Sequence, residues 1–122
     1  MSSDSVSTFI RATFRSVWAL ELLCFLRQNR DHALTHAEMV SGLRGSDLVV
    51  SQSVDSLKAA GLVLVEADGT ARYAPISDAL DRLAGQAETR YAKSPDAVRR
   101  LIVMAANPSI SAFADAFRLR KD

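Results

Sequence analysis

Apolar residues recur at helical spacing across residues 5–28. Phe9, Ile10, Thr13, Phe14 and Val17 fall three and four positions apart, which predicts one apolar helix face. Over residues 17–26 the pattern broadens to Ala19, Leu20, Leu22, Leu23, Cys24, Phe25 and Leu26, with Glu21 the only charge. A helix apolar on nearly every side must be covered on most of them, so this half is expected to be central. The first half carries a narrower stripe, with Arg11 and Arg15 on its polar side. A stripe that projects beyond the core calls for a partner surface.

Residues 27–31 form a polar exit from this long helical segment. Thr35-His36-Ala37-Glu38 then reads as a capping box, with Thr35 as N-cap and Glu38 reaching back from the third helical position. That helix carries Ala37, Val40 and Leu43 and stops near residues 42–45, which hold two glycines. Ser46 caps the next helix, and Asp47 complements the positive end of its dipole. Val50, Val54 and Leu57 share one face of it. Gly61 is the expected stop, because a helix commonly ends in a left-handed residue that glycine adopts without strain.

The period changes at once. Leu62-Val63-Leu64-Val65 is apolar and β-prone, Asp68-Gly69 signals a turn, and Ala71-Arg72-Tyr73-Ala74 returns before Pro75, which predicts a short antiparallel hairpin. Ser77 caps a further helix whose face is Leu80, Leu83, Ala84, Ala87 and Tyr91. Within it, Gly85 marks either a close packing contact or a tolerated weak point. Ser94-Pro95 starts another helix, through Val98, Leu101, Ile102 and Ala105, until Asn107-Pro108 interrupts it. A last amphipathic segment holds Ile110, Phe113, Ala114 and Phe117, before a basic end at residues 118–121. No internal repeat or linker breaks the pattern, so residues 1–122 read as a single domain.

Composition narrows the class. With 48% hydrophobic and 24% charged residues, the 122-residue chain has an ordinary globular balance. Fifteen Lys and Arg against fourteen Asp and Glu leave a net charge of +1, which excludes a histone-like polycation but not a local basic patch. A single cysteine makes no internal disulfide and suits a reducing compartment. The start Met1-Ser2-Ser3-Asp4 lacks a basic and apolar leader. The apolar run at 17–26 is about half the ~20 residues of a membrane span. The expectation is a cytoplasmic domain with no membrane partner.

Two short helices joined by a tight glycine-containing turn, followed by a two-stranded hairpin, resemble a winged helix-turn-helix module. Within it, Leu57-Lys58-Ala59-Ala60-Gly61-Leu62-Val63 is similar to the L-x-x-x-G-L-V junction between recognition helix and wing in MarR-like bacterial regulators. The close resemblance covers about a third of the chain. It implies a mostly α fold with a small β-hairpin: helix-turn-helix at 35–60, wing at 62–74, a long N-terminal helix at 5–28 and additional C-terminal helices over 77–119. It further implies a DNA-binding transcriptional regulator that acts as a homodimer on double-stranded DNA. Winged helices also serve as protein-binding modules that do not bind DNA specifically, so another protein stands as the alternative partner.

The face of the helix at 46–60 opposite Val50, Val54 and Leu57 carries Leu48, Ser51, Gln52, Asp55, Ser56 and Ala59. Gln52 has the amide for a bidentate contact to adenine, and Ser51 and Ser56 the hydroxyls for a base edge or a phosphate. The first cation on the helix is Lys58, near its end. Phosphate contacts must therefore also come from Arg44 in the turn and Arg72 on the hairpin. The plain alternative for each is a solvated surface side chain, and Leu48 and Asp55 suit a protein interface better than DNA.

Other candidates carry less. Cys24 lies among leucines and Phe25, where burial raises a thiol pKa, so an inert core cysteine is expected rather than a redox sensor. His32 and His36 flank a strand and a helix cap and need not converge on a metal. No nucleotide or hydrolase motif occurs, so neither a catalytic site nor a cofactor is expected. The apolar stripes Phe9, Ile10 and Phe14 at one end and Phe113 and Phe117 at the other are expected to pair two chains, the plain alternative being that they pack on each other within one chain.

Overall fold

The apolar segment that opens the chain folds as two helices where its spacing predicts one. The computed structural model describes residues 2–106, which form α1 (Ser2–Thr13), α2 (Val17–Gln28), α3 (His36–Leu43), α4 (Asp47–Ala59), β1 (Val63–Val65), β2 (Ala71–Tyr73), α5 (Asp78–Lys93) and α6 (Pro95–Ala106). Ser16 sits between α1 and α2 in an extended conformation, and its Oγ accepts from the Ala19 N–H at 3.2 Å. Such a cap contributes about 1 kcal/mol. Beside it, Phe14 turns into the core and meets Phe9 edge-to-face, with ring centroids 5.7 Å apart.

The break has a packing cause. α1 covers α6 and α5, whereas α2 packs chiefly on α4 and also touches α3, β2, α5 and α6. One straight helix cannot lie along both surfaces. Both halves bury an apolar face, so the periodicity runs through the bend without marking it.

This placement corrects the expected dimer stripe. Phe9, Ile10 and Phe14 are buried inside the chain with Val6, and Ile10 is 0% exposed. They are core residues, covered by the chain's own helices. The other half of that expectation, Phe113 and Phe117, lies outside the described residues, as do Asn107-Pro108, Ile110, Ala114 and the basic end at 118–121. As expected, α2 is central: Ala19, Leu20, Leu22, Leu23 and Leu26 are all buried.

The capping signals hold. Thr35 N donates to Glu38 Oε1 at 2.8 Å and Glu38 N to Thr35 Oγ1 at 3.1 Å, while Ser46 and Ser77 cap α4 and α5. Gly42 lies inside α3, where a Cβ would stand 2.3 Å from Cζ of Phe25; its bare backbone lets α3 approach α2. Gly61 takes φ +77°, the left-handed conformation expected of the stop after α4. β1 and β2 pair antiparallel, Val63 with Tyr73, Leu64 with Arg72 and Val65 with Ala71. Leu34 adds a bridge to Ala71 on the free edge of β2, with both backbone bonds formed.

A polar knot ties α2, β2 and α5 together. The Arg27 side chain, 11% exposed, donates from Nε to Glu88 Oε1 at 3.0 Å and from Nη1 to the Tyr73 hydroxyl at 2.8 Å and Asp81 Oδ1 at 3.2 Å. Tyr73 in turn donates to Asp81 Oδ1 at 2.6 Å. Gly85 leaves room for this guanidinium, since a Cβ there would lie 3.2 Å from Arg27 Nη2. Of the two readings of Gly85, close packing is the one the structure shows. Arg27 is thus a structural centre, where the spacing suggested only a polar helix exit. Among the described residues no helix is long and apolar enough to cross a membrane.

Candidate functional site

The site is built on α4. Val50 and Leu57 are fully buried against α2, and Ser53 joins them at 3% exposure. Spacing alone carries this signal, because Ser53 stands three residues after Val50 and four before Leu57, on the inward stripe. The opposite face presents Leu48, Ser51, Gln52, Asp55, Lys58 and Ala59 to solvent. Leu48 is 65% exposed, a large apolar side chain on an otherwise polar face.

Ser56 departs from its expected place. It is half-buried and turned toward the α1–α2 junction, where it lines a cleft with Arg15, Trp18, Val49, Gln52 and Ser53. This cleft has a volume of about 310 Å³ and runs between the first turn of α2 and the side of α4. A neighbouring groove of about 480 Å³ is lined by Ala12, Thr13, Arg15, Asp55, Ser56 and Ala59. Arg15 therefore stands between the two, and it makes no ion pair with the described residues.

Trp18 and Ser53 are the residues that sequence reasoning passed over. Trp18 is 40% exposed, its ring resting near Gly45 and Val49 at the turn into α4. Ser53 is almost wholly buried, and it lines the cleft.

Arg44 closes α3 with φ 57° and ψ 34°, the left-handed region where non-glycine residues are uncommon. It is exposed in the turn just before α4. Arg72 is exposed on β2 opposite Leu64, on the outer face of the hairpin. Neither forms an ion pair among the described residues. The structure thus joins Gln52 and Ser56 in one cleft, carries Ser51 and Lys58 on the open face of α4, and sets Arg44 and Arg72 on separate flanking segments. At the hairpin tip, Asp68 accepts from the Thr70 N–H and hydroxyl, which hold its carboxyl below the usual range.

The remaining candidates are placed by the core. Cys24 is half-buried against the core, and burial, with Glu88 and Glu21 nearby, pushes its thiol up to about 12. His36 Nε2 meets Asp47 Oδ1 at 3.1 Å across the α3–α4 turn, and His32 is exposed. No protein-family model, curated protein or solved structure matches this chain.

Proposed function

We propose that this chain is a winged-helix DNA-binding protein, a transcriptional regulator that lays α4 in the major groove of double-stranded DNA. The observation that carries the reading is the order α3, tight turn, α4, hairpin, with α4 held by its buried stripe while Ser51, Gln52 and Lys58 stay open to solvent. In this reading Gln52 and Ser51 face base edges, and Arg44, Lys58 and Arg72 contact phosphates on either side. The regulator acts as a homodimer, with each subunit on one half-site. Because Phe9, Ile10 and Phe14 are core residues, the pairing surface in this reading involves the C-terminal segment with Phe113 and Phe117.

The test is binding of the purified protein to fragmented genomic DNA at about 50 and 200 mM salt, which separates phosphate contacts from specific readout. A few enriched fragments with a two-fold site support the regulator. Arg44→Ala and Arg72→Ala should each weaken binding and lower the salt slope by about 1. Unchanged affinity and slope in both would remove these assigned contacts.

The exposed Leu48, beside an acidic Asp55 that phosphates repel, favours a second reading, a winged helix that docks a protein. Under that reading Leu48→Glu abolishes partner capture and duplex DNA is not retained.

A further inference from the structure

We propose that the face built by α1, α5 and α6 docks an acidic segment of a partner protein, one that carries both carboxylate and apolar side chains. Two adjoining grooves run over this face, with volumes of about 700 and 560 Å³, and they meet at Arg90 and Ser94. The first lies along α5, and the second crosses between α1 and α6. Of the chain's fifteen Lys and Arg, six line these grooves: Arg11, Arg27, Arg82, Arg90, Lys93 and Arg100. Of its fourteen Asp and Glu only Glu88 does, and Arg27 already holds that carboxylate at 3.0 Å. A chain with a net charge of +1 thus concentrates positive charge on one face.

Helix dipoles explain only part of this. Arg11, Arg90 and Lys93 stand in the last turns of α1 and α5, where a cation is favoured. Arg82 and Arg100 have no such reason, and Asp96, four residues before Arg100, is taken by Arg99 at 3.0 Å. Arg90 sits where the grooves meet, and its Nη1 donates to the Ser7 hydroxyl at 2.7 Å. A neutral partner therefore fixes this guanidinium between α5 and α1 and leaves its charge uncompensated, with further N–H groups for a carboxylate. Among the described residues, Arg11, Arg82, Arg90, Lys93 and Arg100 form no ion pair.

Arginine clusters recognise acidic motifs through charge-assisted, often bidentate bonds. The floor narrows the class of partner. Ala97, Leu101 and Met104 give the second groove apolar surface, and Val6 borders the first. Phosphates gain nothing from such a floor, whereas an amphipathic peptide uses both the cations and the surface between them. No aromatic side chain among the described residues lines either groove, so the stacking platform on which single-stranded nucleic acid relies is missing. From Arg82 to Lys93 the helical rise gives about 16 Å, the span of about five extended residues. α4 contributes no described residue to either groove, so this docking stands whether or not α4 enters DNA.

The test is fluorescence anisotropy with a labelled peptide of about twelve residues in Glu-Glu-Leu-Leu repeats, long enough to cover the groove along α5. Polyglutamate of the same length and a short DNA duplex serve as competitors. The full chain should bind the peptide saturably and polyglutamate about tenfold more weakly. Arg82→Glu combined with Arg100→Glu should weaken the peptide about tenfold or more. Both side chains are exposed and make no hydrogen bond or ion pair among the described residues, so the urea midpoint should hardly move. Lys58→Ala on α4 should leave peptide binding unchanged. Equal affinity for polyglutamate, or unchanged peptide binding in the double variant, overturns the docking site. So does a duplex that displaces the peptide and itself depends on Arg82 and Arg100, which makes the face a nucleic-acid surface. Self-association of the parent that the double variant abolishes assigns the face to a second copy of the chain, and it too overturns the proposal.

Discussion

The Arg27 guanidinium meets Tyr73 in two ways at once. Nη1 donates to the phenol oxygen at 2.8 Å, and Cζ stands 4.9 Å from the centre of the same ring. A guanidinium over an aromatic face contributes about 0.5–1 kcal/mol beyond its hydrogen bonds. Because Arg27 is on α2, Tyr73 on β2 and Asp81 and Glu88 on α5, this contact joins the hairpin to the helices on which it rests.

Arg27→Met keeps the stem and removes the donors, leaving Glu88, Asp81 and Tyr73 without their shared partner. Asp81 and Glu88 keep some access to water, so the expected loss is about 2–3 kcal/mol rather than the full value of a buried pair. Urea unfolding of the two proteins measures it. A loss below about 0.5 kcal/mol would show that the knot behaves as an exposed ion pair.

The pH dependence of Tyr73 has a definite sign. Burial, together with the bond donated to Asp81, raises its phenol from 10.0 to about 12. The folded state therefore holds the proton more tightly than the unfolded chain. Its contribution is complete below pH 10 and is lost as pH rises through about 12. The difference in Tm between the parent and Tyr73→Phe should shrink over that window. Asp81 runs the other way: the Tyr73 bond and Arg27 lower its pKa, so its contribution is present at neutral pH and lost as pH falls below 3.8.

Cys24 should be slow to react. With its thiol at about 12, the thiolate fraction at pH 8 is on the order of 10⁻⁴. Alkylation by iodoacetamide should proceed orders of magnitude more slowly in the native protein than in urea, where the thiol regains its ordinary value. Equal rates would contradict the burial of α2.

Gly42→Ala tests the approach of α3 to α2. Alanine favours a helix by about 1 kcal/mol over glycine, yet the new Cβ would overlap the Phe25 ring and displace it. The expected net effect is a loss of about 1 kcal/mol in urea unfolding, and the double variant Gly42→Ala with Phe25→Leu should recover part of it. A stabilised single variant would mean that the ring moves freely.

Gln52→Ala separates readout from affinity. If Gln52 reads an adenine, its removal should relax preference at one base-pair position by about 1–3 kcal/mol while the salt slope stays the same. A uniform loss across sequences, with a lower slope, would place Gln52 on the backbone instead.

Local chemistry made much of the fold legible. Thr35 with Glu38, Ser46, Ser77, Gly61 and Asp68-Gly69 each act within a few residues, so their effects appear in the sequence as they do in the structure. The α1–α2 bend was not legible, because Phe14 and Val17 keep the helical spacing on both sides of it. Ser56 was assigned to the open face from its position on α4 alone, and it is the neighbouring α1–α2 junction that half-buries it.

Apart from the break between α1 and α2, the sequence by itself determined which of the described segments are helical and which form the hairpin, since capping, turn chemistry and periodicity are short-range. It also determined that 17–26 must be central, because a segment so apolar has no stable place at the surface. Only the tertiary structure decided the long-range matters: that Phe9, Ile10 and Phe14 serve the core, that Arg27 is a knot rather than a helix end, and that Arg15 and Trp18 stand beside Ser53. Those depend on which helix lies against which. Spacing along one helix states which side is apolar, but not what will cover it.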